Sequence, residues 1–114
     1  MGGRVASMIA DQAGVRGLVC LGYPFHPPKR PTQLRVAHLA GLKTPALIVQ
    51  GERDALGNRD EIGQWALSEA IRVEYLADGD HSFKPRKSSG RTEAQNIDLA
   101  IEFIDRFASE LERV

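Results

Sequence analysis

Two side chains in this sequence are of the right type and spacing to do chemistry together, Asp54 and His81. Asp54 ends the stretch PALIVQGERD (45–54), in which Pro45 leads into Ala46–Val49, a run that is apolar on both faces and breaks at Gly51. A parallel strand buried under helices on both sides has that pattern. A second apolar run, Val73–Ala77, passes into DGDHSF and carries His81. Both residues are thus expected just beyond the carboxyl ends of neighbouring strands, where open α/β sheets collect their functional groups. A carboxylate there can accept the Nδ1 proton of an imidazole, fix its tautomer, and leave Nε2 to take a proton from a serine. Singly, each residue has a commoner explanation, Asp54 as a turn former and His81 as a surface or capping histidine. It is their joint placement that is specific. Asp78 and Asp80 flank the histidine too closely in sequence to orient its ring and are read as turn formers.

Other reactive side chains have plainer readings. Cys20 lies in mid-strand, as a buried and inert thiol would. His26, in FHPP, is either a cleft-lining or a solvated loop residue, His38 a surface residue, and Trp65 a core or interface aromatic. Lys84, Arg86, Lys87 and Arg91 form a basic loop after His81, read first as solvated and second as steering an anionic substrate. Pro28-Lys29-Arg30-Pro31 fits the permissive P-x-x-P pattern. Neither G-x-G-x-x-G, nor G-x-x-x-x-G-K, nor a metal-ligand cluster occurs, so no cofactor and no metal are expected.

The elements that must position Asp54 and His81 follow in order. MGGRVASMIADQAG reads as a helix with Val5, Met8, Ile9, Gln12 and Ala13 on one face, closed by Gly14. Gly17–Gly22 reads as a strand, followed by a Pro-rich connection and, from Leu34 to Leu42, a short helical turn or two. After the Ala46 strand, Asn58 and Glu61 have capping-box spacing for a helix whose inner face is Ile62, Trp65, Ala66 and Glu69 or Ala70. Thr92 and Gln95 repeat that spacing before a closing helix with Ile97, Ala100, Ile101, Ile104, Phe107, Ala108 and Leu111 inward. Alternating helices and strands imply a three-layer α/β/α domain on a mainly parallel sheet of about three strands. The apolar GLVCL strand lacks one neighbour, which exposes an edge open to aggregation, self-association or docking of a missing half.

With 114 residues the chain is one domain's worth, enough to bury roughly 60–70% of its unfolded surface. Fifteen basic and fifteen acidic residues cancel, so nothing in the overall charge recruits nucleic acid or an anionic membrane. No apolar run approaches the ~18–20 residues of a membrane span, and one cysteine excludes an internal disulfide, both fitting the cytoplasm.

MGGRVAS, VRGLVCLGYPFHPPKRP, LKTPALIVQGERD and DGDHSF together resemble the carboxyl-terminal half of an α/β-hydrolase of the dienelactone-hydrolase-like group. More narrowly, they are similar to the family that includes a testis-expressed protein and a subunit of a histone acetyltransferase complex. The resemblance spans the whole chain, with GYPFHPP its most specific piece. It implies a partial α/β-hydrolase fold over residues 1–114, beginning just after the nucleophile elbow, G-x-S-M-G-G, whose serine directly precedes the position of Met1. It also implies Asp54 as the acid, His81 as the base and the Met1 backbone N–H as an oxyanion donor, acting on a small acyl substrate. Ser7 and Ser82 are not placed to replace the elbow serine. Two function classes follow: a serine hydrolase of which this chain, lacking its nucleophile, is an inactive part, or a non-catalytic, hydrolase-like interaction module.

Overall fold

The computed structural model describes residues 16–26 and 37–112. The helix expected at residues 1–14, Met1 itself and the Pro-rich connection lie outside the described residues. Three strands, β1 (Leu18–Leu21), β2 (Ala46–Gly51) and β3 (Ile71–Leu76), form one sheet in that order. Both pairings are parallel, with Leu18 opposite Ala46 and Ala46 opposite Ile71.

All six residues of β2 are buried because both of its faces are covered. Alternation along the strand divides its side chains between two cores. Ala46 and Ile48 join Cys20, Tyr23, Phe25, Leu39, Leu42 and Ile62 on one face. Leu47 and Val49 join Leu76, Ala100 and Phe107 on the other. A 3₁₀ turn (Ala37–Gly41) and a short helix α1 (Arg59–Ile62) contribute to the first face; the long helix α2 (Glu93–Glu112) covers the second.

Both expected capping boxes are present. Asn58 Oδ1 accepts from the Glu61 N–H at 2.9 Å while Glu61 Oε1 accepts from the Asn58 N–H at 3.0 Å. Thr92 and Gln95 are linked reciprocally in the same way, at 2.9 and 3.1 Å.

Two expectations need correction. The helix after Asn58 was expected to reach Ala70 but stops at Ile62, with Gly63 as its carboxyl cap. Beyond it, Gln64 and Trp65 bond back three residues rather than four, which tightens and ends the turn. Ser68 then draws the chain to another partner: its hydroxyl donates to Leu42 O at 2.5 Å and its N–H to Leu39 O at 3.1 Å. Trp65 still packs, against Phe25 at 5.1 Å between ring centroids, but from a loop. The second correction concerns the inner face of α2. Asn96, Ala100 and Phe107 are buried, whereas Ile97, Ile101 and Ala108 are exposed, so the helix is turned by about one residue from the apolar stripe.

The inconspicuous Gln50 ties the loops above the sheet to its central strand. It is fully buried. Its Oε1 accepts from the Tyr23 N–H at 2.8 Å, and Nε2 donates to the carbonyls of Tyr23 at 3.1 Å and Gly57 at 2.9 Å. Apolar replacement strips three backbone groups of this partner. Gln50→Leu is therefore expected to cost about 2–4 kcal/mol of stability, read as a lower urea midpoint.

Candidate active site

Asp54 stands three residues beyond the end of β2, and its side chain is wholly buried. A buried carboxylate is costly unless both oxygens are engaged. Here Oδ1 accepts from the Leu56 N–H at 2.8 Å and Oδ2 lies 2.8 Å from His81 Nδ1. A carboxylate only accepts, so this bond places the imidazole proton on Nδ1. The side chain of His81 is 47% exposed, and among the described residues no group bonds Nε2. The pair thus has a buried, anchored end and an open end. That arrangement can move a proton to and from a group bound above the sheet.

The loop carrying Asp54 and the turn carrying His81 are strapped together. Arg53 N–H donates to Gly79 O and Arg53 Nε to Asp78 O, both at 2.9 Å, while Glu52 Oε1 accepts from the Asp78 N–H at 2.9 Å. A Cβ on Gly51 would collide with the carbonyls of Gly79 and Asp80, so glycine is needed for the two segments to close.

The His81 turn itself is strained, with Asp78 (φ 54°) and Phe83 (φ 70°) in the left-handed region, each costing about 1–2 kcal/mol. Asn96 compensates from α2. Its Nδ2 donates to Ala77 O at 3.1 Å and Phe83 O at 2.9 Å, gripping both ends of the turn. Arg91 Nε donates to Asn96 Oδ1 at 2.8 Å and fixes the amide's orientation. Within the turn, Asp80 Oδ1 accepts from the N–H groups of Ser82 and Lys84.

Gly22, after β1, forms the floor beneath the imidazole. A Cβ there would lie 3.1 Å from His81 Cε1, and its φ of 74° favours glycine.

The remaining candidates fall elsewhere. Cys20 is buried, and burial pushes its thiol up to about 11, which leaves it unreactive near neutral pH. His26 is neither solvated nor open to a cleft: it is 3% exposed and its Nε2 lies 3.0 Å from Glu61 Oε2. His38 is half-buried, with Nε2 3.2 Å from the Tyr23 hydroxyl. In the basic loop, Arg86 and Arg91 are engaged by Asp78 and Asn96, leaving Lys84 and Lys87 exposed to solvent. Met1 lies outside the described residues. Among these, no three His, Cys, Asp or Glu side chains meet as a metal would require, and no helix is long and apolar enough to cross a membrane. Sequence reasoning passed over Gln50, Gly22 and Asn96. A glutamine inside an apolar strand and an asparagine beside an apolar helical stripe were the available signals.

The family model of an alpha/beta hydrolase domain matches residues 1–109. The chain belongs to that family. Three parallel strands flanked by helices form part of the α/β-hydrolase fold. No solved structure matches the chain significantly.

Two outcomes are expected from this geometry. Gly22→Ala should press on the imidazole and weaken its bond to Asp54, seen as faster exchange of the His81 Nδ1 proton by NMR, with a stability loss of about 1–2 kcal/mol. The second concerns Asp78, whose carboxyl is lowered from 3.8 to about 2, chiefly by side-chain hydrogen bonds from Arg86. A carboxyl lowered on folding contributes stability above its unfolded value and loses it as pH falls through the folded one. The Asp78–Arg86 clasp should therefore hold from about pH 4 down towards pH 2. In Arg86→Ala the carboxyl should titrate above about 2 but still below 3.8, because the residue-86 N–H and Arg53 continue to face it, checked by carbon NMR of Asp78.

Proposed function

We propose that this domain is the acid-and-base part of a serine hydrolase of the dienelactone-hydrolase-like kind, acting on a small ester, thioester or related acyl substrate in the cytoplasm. The observation that carries this reading is the 2.8 Å contact between buried Asp54 and His81, with the imidazole open on its other side. Family membership supports the fold in which such a pair serves a serine.

In this reading the nucleophile is an elbow serine directly ahead of Met1, as the resemblance implies, and the Met1 N–H helps hold the oxyanion. His81 Nε2 takes the serine proton as Oγ attacks the acyl carbon, and Asp54 stabilises the imidazolium that forms. The tetrahedral intermediate collapses with transfer of that proton to the leaving group, giving an acyl-enzyme. Water, deprotonated by His81, then releases the acid and restores the serine. Neither Ser82, adjacent to the base in the chain, nor Ser68, committed to Leu42 O, can replace the serine.

An upstream-extended polypeptide with Gly-x-Ser immediately before Met1 should label with a fluorophosphonate probe and hydrolyse p-nitrophenyl acetate, whereas the 114-residue chain should do neither. In the extended form, Asp54→Asn is expected to lower kcat by about 10⁴-fold. Failure of the extended polypeptide to label, with its fold intact by circular dichroism, would overturn the reading.

A further inference from the structure

The stretch GYPFHPP after β1 opens with residues 22–26, which run against the loop carrying Asp54. Gln50 bonds to both Tyr23 and Gly57, and a Cβ on Gly57 would collide with the Phe25 ring, so the two segments are in close contact. At the end of the stretch the His26 N–H donates to Leu56 O at 3.1 Å. Leu56 in turn gives its own N–H to Asp54 Oδ1 at 2.8 Å. One residue is thus held by His26 on one side and holds the carboxylate on the other.

The His26 side chain takes a second hold on the same loop. Its Nε2 lies 3.0 Å from Glu61 Oε2 and, since a carboxylate only accepts, donates to it. The other oxygen of Glu61 accepts from the Asn58 N–H, so one carboxylate spans the buried imidazole and the cap of α1. Asn58 is where the Asp54 loop ends, and on either side of it Gly57 N–H donates to Asp54 O and Arg59 N–H to Glu52 O, both at 3.2 Å. The capping box is complete without His26. An apolar side chain could fill the space beside Phe25 without the cost of burying a polar ring. What the imidazole adds is direction: it fixes the segment after β1 to the far end of the Asp54 loop.

We infer that His26 is a positioning residue for the acid of the pair, Asp54. The bonds run from Glu61 through the His26 side chain to its backbone N–H, then through Leu56 to Asp54 and on to His81. Leu56 is the sensitive point. If its N–H withdraws from Oδ1, that oxygen is left buried without a donor and the carboxylate must turn to find one, which lengthens its contact with His81 Nδ1. His26, two segments away from the imidazole it serves, therefore keeps His81 anchored without touching it. The inference deepens the proposed function by naming a residue that sets its acid. Its test reads the Asp54–His81 bond rather than turnover, so the two can fail separately.

Proton–nitrogen NMR of the 114-residue chain gives the exchange rate of the His81 Nδ1 proton. In His26→Leu this proton should exchange at least about fivefold faster. His26→Gln, whose amide can donate to Glu61 Oε2 from a similar reach, should bring the rate back to within about twofold of the native chain. Glu61→Ala approaches the same link from its partly exposed end; it should speed the same proton and add little when combined with His26→Leu. Leu42→Ala cuts into the same core ahead of the amino end of β2, and should lower the urea midpoint while leaving the Nδ1 proton as it was. If His26→Leu does not fold, Glu61→Ala decides. A native rate in the folded variants, no rescue by glutamine, or an equal rise in Leu42→Ala would overturn the inference, the last by reducing His26 to one more contributor to general stability.

Discussion

A single buried carboxylate sets the terms for everything above the sheet. Asp54 has no exposed surface, so its charge must be met inside the protein by groups held at fixed positions. One oxygen takes a backbone N–H from its own loop and the other takes the imidazole of His81. Removing only one member of such a pair leaves the other unsatisfied, which is far worse than never having built it. The chain therefore has reason to hold the His81 turn in register with the Asp54 loop, whatever strain that entails.

The strain is visible and so are the restraints that offset it. Two non-glycine residues with positive φ bracket the histidine. Seven backbone and side-chain hydrogen bonds from Glu52, Arg53, Asp80 and Asn96 hold the same few residues. At ~0.5–1.5 kcal/mol net for each bond, they are of the size needed to balance two left-handed residues. These bonds come from three separate places: the loop after the central strand, the turn itself and the closing helix. A turn tied on three sides keeps its imidazole in one orientation.

What the sequence made legible was governed by how local the determinant was. The central strand was readable from Ala46–Val49 because a strand covered on both faces needs no polar residue, and the caps at Asn58 and Thr92 because their partners lie three residues away. The proximity of Asp54 and His81 was readable from topology, since parallel strands bring their carboxyl ends to one edge. The length of α1 was not readable: Ile62, Trp65 and Ala66 have helical spacing, but Ser68 finds partners at Leu39 and Leu42, far away in sequence. Gly22 was equally hidden, because nothing in its neighbours announces that an imidazole from residue 81 will rest on it.

The inner face of α2 joins the site to the rest of the surface. Hydrophobic periodicity would bury Ile97 and Ile101, each worth roughly 1.5–3 kcal/mol when fully covered. The helix instead turns Asn96 inward and leaves both isoleucines substantially exposed. The amide's two bonds to Ala77 O and Phe83 O account for that choice, because an unbonded asparagine in the core would be costly and an outward one would release the His81 turn. One rotation of the helix thus does two things at once. It supplies the clamp that orders the imidazole, and it leaves two isoleucines on the surface.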